Sequence, residues 1–179
     1  SATLVYEHDG SIWPWTYRAE QKFDLADDRL DLTLRLTNTS VQAMPGGLGW
    51  HPYFPRGDAE ISADVTAIWK DGTPQALDST SDLTTLRSAH ALHLDHAFSA
   101  GRARVSIGWP GRALAMTASS QCHHLVGYVP PDEDFFCVEP VSHVPDAVNS
   151  ALSPDVTGYR VLSPGEAMTT HIRLAAMIQ

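Results

Sequence analysis

Residues 29–36, RLDLTLRL, constrain the fold more than any other stretch of this chain. Leu30, Leu32, Leu34 and Leu36 alternate strictly with Arg29, Asp31, Thr33 and Arg35. A helix would scatter the four leucines around its axis, whereas an extended chain gathers them on one face, so the segment predicts a half-buried β-strand. The same period of two runs through Ala103, Val105, Ile107 and Trp109, and through Met168, Thr170, Ile172 and Leu174. Weaker strand candidates are Leu4 to His8, Tyr17 to Leu25, Ile61 to Trp69, Leu114 to Ala118, Leu125 to Val129 and Phe135 to Val138. No run of helical length carries a 3.6-residue period. The 12 Gly and 12 Pro fall mostly between the strand candidates, where turns need them. The expectation is an all-β antiparallel sandwich or barrel.

Length and charge narrow the function. At 179 residues, with 43% hydrophobic and 18% charged side chains, residues 1–179 are expected to form a single folded domain. A net charge of −9 repels phosphate backbones and anionic head groups, which excludes nucleic acid as a partner class. No apolar run approaches the ~20 residues of a membrane-spanning helix, so no membrane partner is expected. The first ten residues, SATLVYEHDG, have neither a basic nor an apolar region of the secretory kind. Cys122 and Cys137 do not make a disulfide framework and read as buried reduced thiols. These features together point to the cytoplasm.

Three runs carry residues suited to chemistry. In GLGWHPYFPR, residues 47–56, Pro52 biases His51 towards an extended backbone beside Trp50, Tyr53 and Phe54. That segment reads either as core aromatics with a hydrogen-bonded histidine or as an imidazole fixed at a cleft wall. In FFCVEPVSHVPDAVN, residues 135–149, Glu139 ends an apolar strand and precedes Pro140. A carboxylate among Phe136, Val138 and Val141 is either salt-bridged or desolvated enough to serve as a general base. In HALHLDHAF, residues 90–98, His90, His93 and His96 invite a metal reading, but the alternating leucines suggest an extended segment that would scatter them. No dedicated metal site is expected. His123 and His124 are adjacent and point to opposite faces. The sequence contains no nucleophile elbow, phosphate loop or dinucleotide fingerprint. The connections 39–58 and 70–92 are long enough to carry function.

HPYF at 51–54, DHAF at 95–98 and VEPVSHVPDAVN at 138–149, in this order and with strands between them, resemble the aldose 1-epimerase (galactose mutarotase-like) family. The resemblance extends over essentially the whole chain. It implies an antiparallel β-supersandwich and interconversion of the α and β anomers of a free hexose without a cofactor. By the same resemblance His51 is the general acid, Glu139 the general base and Asp95 a sugar-binding carboxylate, with Trp50 or Tyr53 stacking on the sugar. The chemistry suits these residue types: one group takes the anomeric hydroxyl proton while the other protonates the ring oxygen. The family's N-terminal part, which supplies a further histidine and an arginine to the sugar, has no counterpart in this sequence, and His8 and Arg18 do not take those roles. An incomplete supersandwich is therefore expected, with self-association or a second chain completing the sheet. The alternative is a non-catalytic carbohydrate-binding β-domain. A weaker third idea, a sugar-phosphate epimerase, would need an arginine cluster drawn from Arg56, Arg102, Arg104 and Arg112.

Overall fold

The computed structural model describes residues 1–101 and 103–177. Sixteen strands follow in chain order: β1 (Ala2–His8), β2 (Tyr17–Leu25), β3 (Arg29–Asn38), β4 (Met44–Gly46), β5 (Tyr53–Pro55), β6 (Glu60–Ala63), β7 (Ala67–Lys70), β8 (Thr73–Gln75), β9 (Arg87–Ser88), β10 (Leu94–Ser99), β11 (Arg104–Trp109), β12 (Arg112–Ala118), β13 (His124–Val129), β14 (Phe135–Val141), β15 (Arg160–Leu162) and β16 (Ala167–Met177). The α-helix at Pro154–Thr157 is a single turn. All strand pairing is antiparallel, as the alternating pattern required.

Eight strands form one sheet in the order β1-β2-β3-β16-β12-β11-β6-β9, and six form a second in the order β5-β14-β13-β10-β7-β8; β4 and β15 make a separate pair. Between the two large sheets lies the main core. The first contributes Leu32, Leu34, Ile61, Val105, Ile107, Met116 and Ile172, and the second contributes Phe54, Ile68, Leu94, Phe98, Leu125, Phe136 and Val138. Removing such side chains from water stabilises the fold by ~1.5–3 kcal/mol apiece before chain entropy is counted. The leucines of β3 behave as their spacing demands: Leu32 and Leu34 are buried, while Arg29 and Arg35 are exposed.

The stretch from Ile61 to Trp69 is two strands rather than one. β6 belongs to the eight-stranded sheet and β7 to the six-stranded sheet. Between them, the Asp64 N–H donates to the Arg104 carbonyl on one sheet and the Thr66 N–H to the Ser99 carbonyl on the other. The apolar pattern hides this crossing because both strands face the same core. The long connections likewise hold short strands, β4 and β5 in the first, β8 and β9 in the second. In the histidine-rich run, a 3-10 turn at Ala89–Ala91 precedes β10.

β14 differs from its neighbours in being buried along both faces. Phe136 and Val138 point into the main core, and Phe136 stacks on Phe54 at 5.6 Å. On the opposite face, Trp69, Ala97, Val144 and Ala147 form a smaller cluster with Val126, Leu152 and Tyr159 around it. The chain from Ser142 to Tyr159 thus returns over the outer face of the six-stranded sheet. Gly158 permits that return: its φ is +74°, and a Cβ there would overlap the Ser142 carbonyl. At the far edge of the eight-stranded sheet, β1 exposes Leu4, Val5 and Tyr6.

Candidate active site

β5 pairs with β14 in a register that sets Tyr53 opposite Cys137, and further along the same two segments Gly49 bridges to Val141. Carried inward, this register sets His51 opposite Glu139. The Trp50 N–H donates to the Pro140 carbonyl at 3.1 Å, which makes Trp50 and Pro140 a hydrogen-bonded pair. Neither Pro52 nor Pro140 has an N–H to return a bond, so the ladder is weakened on both sides of His51 and Glu139. His51 and Glu139 themselves occupy a non-hydrogen-bonded position, where opposed side chains approach most closely. The His51 Nε2 lies 3.3 Å from the Glu139 Oε1.

The two partners live in different environments. The side chain of Glu139 is 11% exposed and that of His51 is 52% exposed. Val126 stands opposite Glu139 on β13 and belongs to the rim of the outer apolar cluster. Burial therefore raises the carboxyl pKa of Glu139 above its ordinary value, the His51 imidazole pulls it down by a smaller amount, and the Asp95 charge raises it further. Tyr53 lies parallel to His51, with ring centres 4.9 Å apart and planes within 6°.

Asp95 belongs to the same face. Cys137 pairs with Tyr128 and Tyr128 with Asp95, so one row across three strands carries Cys137, Tyr128 and Asp95. A buried carboxyl that is reluctant to ionise, an accessible imidazole in contact with it and a second carboxylate nearby can exchange protons with one small polar molecule laid on this face.

A family model described as aldose 1-epimerase matches residues 1–175. The chain belongs to the aldose 1-epimerase family. A curated relative, the uncharacterized protein YphB of Escherichia coli K12, is 31% identical over 195 residues, taking in 97% of this chain and 64% of the relative. An E. coli K12 structure provisionally named an aldose 1-epimerase superposes with a TM-score of 0.84 at 30% identity, over 99% of this chain and 65% of that one. A galactose mutarotase-like protein from Clostridium acetobutylicum gives a TM-score of 0.90 at 17% identity, over 99% of this chain and 62% of that one, and shows the same fold. This aldose 1-epimerase family chain thus spans just under two thirds of the length of these relatives and has the galactose mutarotase-like β-supersandwich architecture.

Within this family chain, the sequence candidates divide by strand parity. His51, Tyr53, Glu139 and Asp95 share the outer face. Trp50 packs against the core between the sheets, on the other side of its strand from His51. His90 lies in the 3-10 turn, His93 is exposed before β10 and His96 is half-buried within it, so the three do not gather. Nor do the described arginines cluster. Arg56 is buried and donates to the carbonyls of Pro130 and Pro131, Arg104 faces Asp64, and Arg112 lies over the Trp109 ring; Arg102 lies outside the described residues. His8 is buried and stacks on Tyr17, while Arg18 pairs with Glu7 and Glu20.

Three further residues lie at or near this face without a site role in the sequence reading, where Cys137 is only a buried thiol and His124 only the neighbour of His123. Cys137 is fully buried two positions before Glu139, and burial with the Glu139 charge pushes its thiol up to about 11. His143 has its Nδ1 3.1 Å from the Ser142 hydroxyl, and its ring fills the space that a Cβ on Gly47 would need. His124 is buried edge-on to Trp69, its Nδ1 has no hydrogen-bond partner, and burial lowers its pKa to about 4. The signal for Cys137 was present in the sequence: residues two apart on a strand share a face.

Proposed function

We propose that this protein is an aldose 1-epimerase that interconverts the α and β anomers of a free hexose, with Glu139 and His51 as its acid–base pair and Asp95 holding sugar hydroxyls. The observation that carries the reading is the 3.3 Å contact between a buried carboxyl with a raised pKa and a half-exposed imidazole. Mutarotation moves two protons on two oxygens bonded to the same carbon, the anomeric hydroxyl and the ring oxygen. A base and an acid serving those oxygens must stand side by side, and directly opposed positions on two antiparallel strands supply that spacing.

In the forward direction the Glu139 carboxylate takes the anomeric hydroxyl proton while the protonated His51 donates to the ring oxygen. The C1–O5 bond breaks and the open-chain aldehyde forms. Rotation about C1–C2 presents the other face of the carbonyl, after which His51 withdraws the O5 proton, O5 attacks C1 and Glu139 returns a proton to the new hydroxyl. Protons and electrons balance, and no cofactor enters. Tyr53 lies beside the imidazole and offers a ring on which the apolar face of the sugar stacks. A cytoplasmic location and self-association, or a second chain, at the exposed β1 edge belong to the same reading.

The test is polarimetry on freshly dissolved α-D-glucose and α-D-galactose. The reading expects anomeric equilibrium to be reached faster than in buffer for at least one of the two sugars. Sugar-dependent tryptophan fluorescence without any acceleration would instead support the carbohydrate-binding domain, and neither effect would remove both readings.

A further inference from the structure

We propose that Cys137, His51 and Glu139 form a binding site for a soft divalent cation such as Zn²⁺ or Cd²⁺. A Cys137 Sγ, a His51 imidazole nitrogen and a Glu139 carboxylate oxygen all lie within 4.8 Å of one another. The arrangement follows from the fold: Cys137 and Glu139 sit two apart on one face of β14, and His51 faces them from the opposed strand. Zinc takes thiolate, imidazole and carboxylate ligands at ~2.0–2.3 Å, so ligand atoms around a tetrahedral ion stand about 3.3–3.8 Å apart. Closing the present cluster onto an ion therefore asks for movements of about 1 Å. The half-exposed imidazole and the three torsions of Glu139 can supply them.

The donor set is one sulfur, one nitrogen and one oxygen, which favours zinc and cadmium over the all-oxygen preference of magnesium or calcium. Electrostatics favour a cation as well, since the Asp95 carboxylate lies near enough to disturb Glu139. His51 opens to solvent, so the fourth coordination position falls to water. As the sulfur–metal bond forms, the Cys137 thiol gives its proton to solvent, and nothing is oxidised or reduced. Coordination stands on the placement of three side chains and does not depend on the proposed reaction. One consequence does rest on that reading: an ion here occupies both the base and the acid, so it would block anomerisation.

The experiment titrates the reduced full chain with CdCl₂ and follows the ultraviolet thiolate-to-cadmium charge-transfer band, with proton release measured in weakly buffered solution at pH 7. One band saturating at one equivalent, with about one proton released, is expected. Cys137→Ser should abolish the band. Cys122→Ser should keep it, because Cys122 bonds Thr170 in a separate buried network. His51→Ala should weaken binding by about tenfold or more, the least that losing a direct ligand should cost. Absence of a band in the wild-type chain, its persistence in Cys137→Ser, or unchanged affinity in His51→Ala would each overturn the site. Should Cys137→Ser fail to fold by circular dichroism, the exposed His51→Ala substitution decides. None of these readouts involves sugar turnover, so a failed metal site and a failed epimerase are told apart by polarimetry in metal-free buffer.

Discussion

Two of the carboxylates that face a basic side chain across an antiparallel pair respond in opposite directions. Asp31 on β3 stands opposite Arg173 on β16, on the solvent side of the eight-stranded sheet. Arg173 donates to both carboxylate oxygens, and this hydrogen bonding holds the Asp31 pKa below its ordinary value. Glu139 faces His51 at 3.3 Å in an equivalent cross-strand position, yet its pKa is raised. The difference is desolvation: Asp31 is half-exposed on the solvent side of its sheet, whereas Glu139 sits in a strand covered on both faces. Pairing alone makes a surface ion pair of little consequence. Pairing together with burial makes a carboxyl whose pKa is raised above its ordinary value.

The largest effect that would sharpen this contrast is on the proposed activity. His51→Gln removes the proton donor while leaving Glu139 buried, and anomerisation should fall by about 10²- to 10⁴-fold, the usual contribution of a positioned acid or base. Arg173→Gln, the corresponding change at the surface pair, should leave the rate within twofold; polarimetry reads both.

Next in size is the response to acid. His124 has a folded pKa of about 4 against an ordinary 6.5, so its neutral form stabilises the fold above pH 6.5 and that stability is lost as pH falls towards 4. Allowing for solvent screening, the loss is about 2 kcal/mol. His143, also lowered by burial, acts in the same direction. Urea unfolding at pH 7 and pH 4.5 measures the drop. His124→Phe should flatten it, and an unchanged slope would show that some other group governs the acid response.

Opposite signs of stability follow from the two carboxylates themselves. The raised pKa of Glu139 contributes stability below the ordinary carboxyl range, and this is lost as pH rises through the folded value. The lowered pKa of Asp31 contributes stability above that range, and this is lost as pH falls through the folded value. At pH 8, Glu139→Gln should therefore raise the thermal midpoint slightly and Asp31→Asn should lower it slightly. Shifts of the same sign by calorimetry would break the comparison. The smallest effect concerns Cys137: in the wild-type chain its alkylation at pH 8 should lag far behind a free thiol, and Glu139→Gln should quicken it by removing the neighbouring charge.

Much of this was legible in the sequence. The leucines of β3 declared a strand because side chains two apart share a face, and β11 and β16 followed the same rule. Parity also separates Trp50 from His51 and Tyr53, and it joins Cys137 to Glu139, so the composition of the outer face was readable once the strands were placed. Pro52 and Pro140 marked the two strands without saying that they pair. That pairing is a contact between segments almost ninety residues apart, which no local pattern encodes. The crossing at Asp64 to Thr66 was hidden because the residues on both sides bury apolar side chains in the same core. His124 could not be read as buried, since Trp69, which covers it, comes from a distant strand.

The most direct test of the central claim is the anomerisation rate of Glu139→Gln set beside Asp31→Asn in the same sugar and buffer. The first is expected to fall to the buffer rate while its circular dichroism stays that of the wild-type chain, and the second to keep the wild-type rate. A Glu139→Gln protein that anomerises sugar as fast as the wild-type chain would contradict it.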